Sequence, residues 1–433
     1  MSSNPSTVAN RIHFIGIGGI GMSALARFFL HEGKRVSGSD RAPSLITDAL
    51  AREGATIFTT QVAGNISSDI ELVVYTEAMS PEQEEMVAAR ALGVPMVNYF
   101  EALGAVANDY YLIAVAGAHG KTTTTGMTVD ILEAAGLDPT AIVGSLRSKT
   151  GSNFRAGKSK YAVVEACEYK RDFLHLQPDV LVITNIDYEH VDYYRDLADV
   201  QSAFRALAEK VPAEGYVIAN VTDPNVAPVV TGLACRVVDY REYLDLMLPL
   251  RQPGLHNRQN AAAACAAAAM VGVGAEVCSA ALAAFAGTWR RFEYKGEVAG
   301  APVYDDYAHH PREVAAAISG ARELYPDKKL LVVFQSHTFS RTHELFADFV
   351  SALAGADQVV MLPIYAAREK NMSGVTAEKL VAAVNEKGIT AEFLPTLEAV
   401  TGRVRGLVSP NHVVVVMGAG EVTKVATQLF ENN

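Results

Sequence analysis

Lys121 and Thr122 stand at the end of a glycine-flanked turn, Gly117-Ala118-His119-Gly120, and together they suit phosphate chemistry. A lysine there supplies a point charge for nucleotide phosphates, and a threonine hydroxyl supplies a ligand for Mg²⁺. Both roles require a strand before the turn and a helix N-terminus after it. Tyr111 to Val115 reads as a buried strand, and the segment from Thr123 to Ala135 has helical spacing, apolar at Met127, Ile131, Leu132 and Ala135. Val115 occupies the place where the usual phosphate-loop motif has its first glycine. The setting therefore identifies the loop, although a strict pattern would not.

A second glycine loop, Gly16-Ile17-Gly18-Gly19-Ile20-Gly21, follows an apolar strand from Arg11 to Ile15 and opens a helix from about Met22 to Glu32. Ser39 and Asp40 close the next strand, with the acid about twenty residues past the glycines, where a ribose-reading carboxylate belongs. Alone, this is a dinucleotide fingerprint, and a nicotinamide-dependent oxidoreductase is one reading. The physics asks only for a diphosphate on a helix N-terminus, and a nucleotide sugar meets that equally.

Other chemistry-bearing residues fall where strands end. Glu165 closes the strand Tyr161 to Glu165, a place from which a carboxylate can bind Mg²⁺. His190 lies in the polar loop after the strand Val180 to Thr184, where Asp187 or Asp192 could instead cap the next helix. Asn257 and Asn260 precede an alanine-rich helix. One of them could cap it, or both could offer amides to an adenine ring. Asp305, Asp306, His309 and His310 close a strand of the last third of the chain. Neighbours on an extended chain point apart, so a polar cleft edge fits them better than a zinc site. His337 and Arg341 follow the strand Leu331 to Phe334, and Arg341 could clamp a carboxylate or phosphate, or lie on the surface.

Strands alternating with helices along the whole chain predict three consecutive α/β domains, over residues 1–108, 109–288 and 289–433. The formal charge of −11 argues against a nucleic-acid surface, and no apolar run reaches membrane-spanning length. The polar start lacks the order of a signal peptide, and Cys167, Cys235, Cys265 and Cys278 form no close pair, so a reduced, cytoplasmic protein is expected.

Taken together, the motifs resemble those of the Mur ligases of peptidoglycan synthesis. They run HFIGIGGIGMSALA from His13, AGAHGKTTTT from Ala116, EACEYKRDFL from Glu165 and TNIDYEHVDYY from Thr184. They continue with GLHNRQNAAAA from Gly254, RRFEYKG from Arg290, DDYAHHP from Asp305 and HTFSRT from His337. The first and seventh are most similar to the branch that adds L-alanine to UDP-N-acetylmuramate.

The resemblance implies a UDP-sugar-binding first domain, with Gly16, Gly18, Gly19, Ile20, Gly21, Ser39 and Asp40 at the substrate. It implies a central domain in which Gly117, Ala118, His119, Gly120, Lys121, Thr122 and Thr123 hold ATP phosphates. Thr122 and Glu165 would then hold Mg²⁺, His190 a second magnesium, and Asn257 and Asn260 the nucleotide base end. Arg291 and Asp306 would reach the nucleotide, while His309, His337 and Arg341 would position L-alanine. A monomer or homodimer is expected. The family's frequent Ser-Ser-Ala-Ile turn appears here as Thr76-Glu77-Ala78-Met79, and little chain separates the strand near Val217 from Gly254.

Overall fold

The computed structural model describes residues 9–191, 193–246, 250–367 and 369–431. Three sheets follow one another along the chain, each built where apolar, β-branched runs can be buried on both faces. The first contains β1 (Arg11–Ile15), β2 (Arg35–Ser39), β3 (Thr56–Phe58), β4 (Leu72–Tyr75) and β5 (Met96–Asn98). Its order is β3-β2-β1-β4-β5, parallel throughout. The order reverses at β1, so the loop leaving β1 opens into the crevice where such sheets bind ligands.

The second sheet contains β6 (Tyr111–Ala116), β7 (Thr140–Arg147), β8 (Ser152–Arg155), β9 (Tyr161–Glu165), β10 (Val180–Ile183), β11 (Tyr216–Ala219) and β12 (Arg236–Asp239), in the order β12-β11-β10-β6-β9-β7-β8. Only β8 runs antiparallel, as a hairpin with β7. Central β6 is buried from Leu112 to Ala116 and pairs in parallel with β9 and β10. This pairing brings the carboxyl ends of three strands to one edge. Between β12 and the helix Leu255–Met270 the described residues hold one short helical turn, Tyr240–Leu246, and no strand. The alanines of that helix, Ala261 to Ala268, are buried, as the alanine run requires of a helix packed on several sides.

The first two sheets share one continuous apolar core, in which Phe28, Leu103 and Val106 join Leu112, Val164 and Phe173. Two asparagines fix that seam. Asn153 of β8 is buried and donates to the Ile20 carbonyl (2.5 Å) and the Ser23 hydroxyl (2.9 Å), while accepting from Arg27 Nη1 (2.5 Å). Asn108 donates to the His175 carbonyl (2.9 Å) and accepts from Gln177 N (2.8 Å).

The third sheet contains β13 (Glu293–Val298), β14 (Ala301–Asp306), β15 (Lys329–Phe334), β16 (Gln358–Met361), β17 (Thr390–Phe393) and β18 (His412–Met417), in the order β13-β14-β18-β15-β16-β17. All neighbours are parallel except β13 and β14. The chain divides into two compact units. One holds the first two sheets and residues 259–286, and the other holds residues 250–258 and the third sheet. Among the described residues, no helix is long and apolar enough to cross a membrane, and all four cysteines are free thiols.

Candidate active site

The turn after β6 is shaped by two glycines. Gly117 has φ 138°, and a Cβ there would lie 2.0 Å from the Thr184 hydroxyl. Gly120, at φ 82°, precedes the helix Lys121–Ala134, and a Cβ there would lie 2.3 Å from Asn260 Oδ1. Only a residue without a side chain fits either place. Lys121 begins the helix and folds back, donating from Nζ to the carbonyls of Gly117 (2.5 Å) and Ala118 (3.0 Å). Thr122 donates to Glu165 Oε1 (3.1 Å) from the neighbouring strand end, so the two expected metal ligands meet. The second carboxylate oxygen accepts from Gly144 N (2.9 Å), which fixes its orientation.

Glu168, three residues past Glu165, was not among the candidates read from the sequence. It is buried, and its carboxylate pairs with Lys121 Nζ (2.9 Å) and His190 Nε2 (3.3 Å). Burial pushes the Glu168 carboxyl up, but Lys121 and His190 together outweigh it and hold the group well below the usual carboxylate range. Burial likewise opposes charge on Lys121, and its acidic neighbours, Glu168 foremost and then Glu165, reverse the balance, so the ammonium is held above its ordinary value. His190 has a left-handed backbone (φ 55°) and packs its ring 4.8 Å from that of Tyr169. Glu168, Glu189 and His190 place one ligand atom each within 4.8 Å of one another.

The loop from Asn185 is organised around the phosphate turn. Asn185 accepts from His119 N and donates to the His119 carbonyl, both at 2.9 Å, and Asp187 faces His119 Nε2 at 3.3 Å. Asp187 therefore does not cap the following helix. Asp196 does, accepting from Asp199 N (2.8 Å), and Asp192 lies outside the described residues. Thr123 is buried in the first turn of the helix. Asn257 is the third residue of its helix and donates to the Pro253 carbonyl (2.8 Å), so it is not the N-cap.

The first glycine loop is built differently. Gly16 N and Ile17 N both donate to the Ser39 carbonyl (2.9 and 3.0 Å), and Gly18 N donates to Asp40 Oδ2 (2.9 Å). Gly19 precedes the helix Ile20–His31, and Gly21 faces the Tyr99 ring, where a Cβ would lie 2.6 Å away. The Ser39 hydroxyl is buried and donates to Glu85 Oε2 (2.6 Å). Ser39 thus reaches the loop through its backbone.

In the third sheet, the carboxyl ends of β14 and β15 gather the remaining candidates. His309 and His337 stand with rings 5.8 Å apart, and Arg341 Nη1 lies 3.3 Å from His337 Nδ1. Burial first, then His309 and Arg341, push the His337 imidazole down to about 4, so it is neutral at pH 7. His310 points elsewhere and caps the helix Pro311–Leu324, accepting from Arg312 N (3.3 Å). The two adjacent histidines therefore diverge, as an extended chain dictates. Asp306 accepts from Phe292 N (2.8 Å) and Ala308 N (2.7 Å). Burial pushes its carboxyl up to about 7, against the pull of Arg291. Arg291 lies over the Tyr307 ring (5.3 Å) and 3.8 Å from Glu313.

Comparison with known proteins bears on the whole chain. Three family profiles match in order: "Mur ligase family, catalytic domain" over residues 11–111, "Mur ligase middle domain" over 115–245 and "Mur ligase, glutamate ligase domain" over 290–420. The UDP-N-acetylmuramate–L-alanine ligase of Clostridium kluyveri is 37% identical, with 98% of each chain covered. That of Agathobacter rectalis is 39% identical, with 97% of each covered. Among solved structures, UDP-N-acetylmuramate–alanine ligase from Thermotoga maritima superposes with a TM-score of 0.82 at 27% identity, covering 97% of this chain and 98% of that one. Fold, motif order and full-length similarity agree, and the chain belongs to the Mur ligase family of ATP-dependent ligases.

Proposed function

We propose that the protein joins L-alanine to the carboxylate of UDP-N-acetylmuramate in the cytoplasm, with ATP giving ADP and phosphate. The observation that carries this reading is the meeting of Lys121, Thr122, Glu165 and Glu168 at one sheet edge, beside a helix N-terminus. The near-full-length similarity to the ligases of C. kluyveri and A. rectalis supports the choice of substrates. The proposed domains are 1–108 for the UDP sugar, 109–288 for ATP and 289–433 for the amino acid.

A carboxylate resists attack by an amine because its leaving group would be oxide. Phosphorylation turns that oxygen into phosphate, and the acyl phosphate then accepts the amine of L-alanine. ATP supplies the phosphoryl group and Mg²⁺ screens its charge; the hydroxyl and carboxylate of Thr122 and Glu165 are hard oxygen donors that suit Mg²⁺. Lys121, kept charged by Glu168, neutralises the phosphate oxygens as charge builds on them. Glu168 also orients His190, which would face the acceptor carboxylate with a second magnesium. Asn257, Asn260, Arg291 and Asp306 would hold the nucleotide. His309, His337 and Arg341 would receive L-alanine, the guanidinium taking its carboxylate while the neutral His337 adds no charge of its own.

The test is phosphate release from Mg-ATP by purified protein with UDP-N-acetylmuramate and L-alanine, omitting each component in turn. Release that needs all of them, with the ligated product seen by mass, supports the reading. Release with a peptide in place of L-alanine, and none with L-alanine, assigns the protein to another branch.

A further inference from the structure

Three non-glycine residues near the phosphate edge hold left-handed backbones: Lys170 (φ 52°), Arg171 (φ 63°) and His190 (φ 55°). Such conformations are strained and persist where the surroundings enforce them, often at sites of function. Arg171 is accounted for by its own contacts, since Nη2 donates to Asp199 Oδ1 (2.6 Å) and Ser202 Oγ (3.1 Å) and the guanidinium covers the Tyr194 ring. Lys170 is held by fewer contacts, its ammonium lying 5.6 Å from the centre of the Tyr169 ring. Its ammonium crosses the seam between the first two sheets to Glu77 Oε2, 3.3 Å away, and both side chains are partly open to solvent. An ion pair of that exposure is weak in water, so it is easily exchanged.

The place of Glu77 gives the exchange a purpose. Glu77 lies in the turn after β4, whose Thr76 N donates to the Ile15 carbonyl (3.2 Å). The methyl of Thr76 packs on Gly16, so close that a Cβ there would lie 2.7 Å from it. Lys170 is thus aimed at the rim of the first glycine loop. That loop offers an anionic ligand the start of the helix Ile20–His31, but its Gly16, Ile17 and Gly18 N–H groups are already engaged, and the side chain that meets it is the Asp40 carboxylate on Gly18 N. An anion seated there needs a cation from elsewhere. The residues before Lys170 serve the reacting edge, with Glu168 on Lys121 and Tyr169 on His190.

We propose that Lys170 is a substrate-binding residue that leaves Glu77 to grip an anionic group of the UDP sugar, the diphosphate or the sugar-acid carboxylate. This inference rests on the reaction proposed above. The left-handed turn at Lys170 and Arg171 holds the ammonium at the seam, and Glu77 keeps it there between turnovers.

The experiment compares wild type with Lys170→Ala, Lys170→Arg and Glu77→Gln. It measures KM for UDP-N-acetylmuramate, ATP and L-alanine, and calorimetric binding of UDP-N-acetylmuramate without ATP. Phosphate release by the wild type tests the reaction itself, while calorimetry tests Lys170 independently of turnover. Lys170→Ala is expected to raise both KM and Kd for the UDP sugar about tenfold, leaving KM for ATP within twofold. Lys170→Arg should recover part of the loss, and Glu77→Gln should not weaken binding. Competition by UDP-N-acetylglucosamine, which has the diphosphate and lacks the carboxylate, separates the two anions. A loss shared by both ligands assigns Lys170 to the diphosphate, and a loss confined to UDP-N-acetylmuramate assigns it to the carboxylate. Unchanged UDP-sugar affinity in Lys170→Ala, or an equal rise in all three KM values, overturns the proposal.

Discussion

The loops after β1 and β6 begin alike and end in different chemistry. Each leaves a buried parallel strand, turns on glycines and opens a helix at its N-terminus. After β6, a lysine folds over the turn, a buried glutamate holds it charged, and a threonine meets a carboxylate. After β1, the loop hangs on the Ser39 carbonyl and the Asp40 carboxylate. Glycine spacing therefore marks a place for phosphate, whereas the charges gathered from other strands decide whether that phosphate is held or transferred.

Lys121→Ala is the strongest test of this contrast. It should lower kcat by on the order of 10²–10³-fold, while calorimetry finds UDP-sugar binding unchanged. An equal loss of UDP-sugar binding would dissolve the distinction between the loops.

Glu168→Gln comes next. It leaves Lys121 without its buried partner, and a loss of about 3–5 kcal/mol is expected in denaturant unfolding. The sign with pH follows from the depressed Glu168 carboxyl. Its contribution is present above the ordinary carboxylate range and is lost only as pH falls through the lowered value. The variant should therefore lack that acid-side fall in stability.

Gly117→Ala should cost about 1–3 kcal/mol through its positive φ, seen as a lower melting temperature. Gly18→Ala has no such backbone cost, and its Cβ would meet a movable carboxylate at 2.8 Å, so it should act on UDP-sugar KM more than on stability. The smallest expected effect is that of Asp40→Asn, a three- to tenfold rise in UDP-sugar KM, about 1 kcal/mol, with KM for ATP unchanged.

Much of this arrangement is legible in the residue order because parallel strands buried on both faces are nearly continuous apolar runs. β1, β6, β10 and β15 stand out for that reason, and Glu165, His190, His337 and Arg341 then fall at the carboxyl edges of their sheets. β3, β5, β8, β13 and β17 do not stand out, because they are short or lie at edges where polar residues face solvent; β13, Glu293 to Val298, has no buried residue. Glu168 was invisible for another reason. A glutamate in a loop has no periodicity, and its role exists only once the fold brings it against Lys121 and His190. The divergence of His309 and His310 was the opposite case, since local geometry alone decided it.

Asn153 carries a consequence for how the chain melts. One buried amide of the second sheet's hairpin satisfies the start of the first sheet's opening helix and the guanidinium of Arg27. Separating the two would expose an apolar core and take from the Asn153 amide its three partners. The first two sheets should therefore unfold in a single cooperative transition. A fragment ending near residue 108 should behave as a frayed half of a folding unit, not as an autonomous domain.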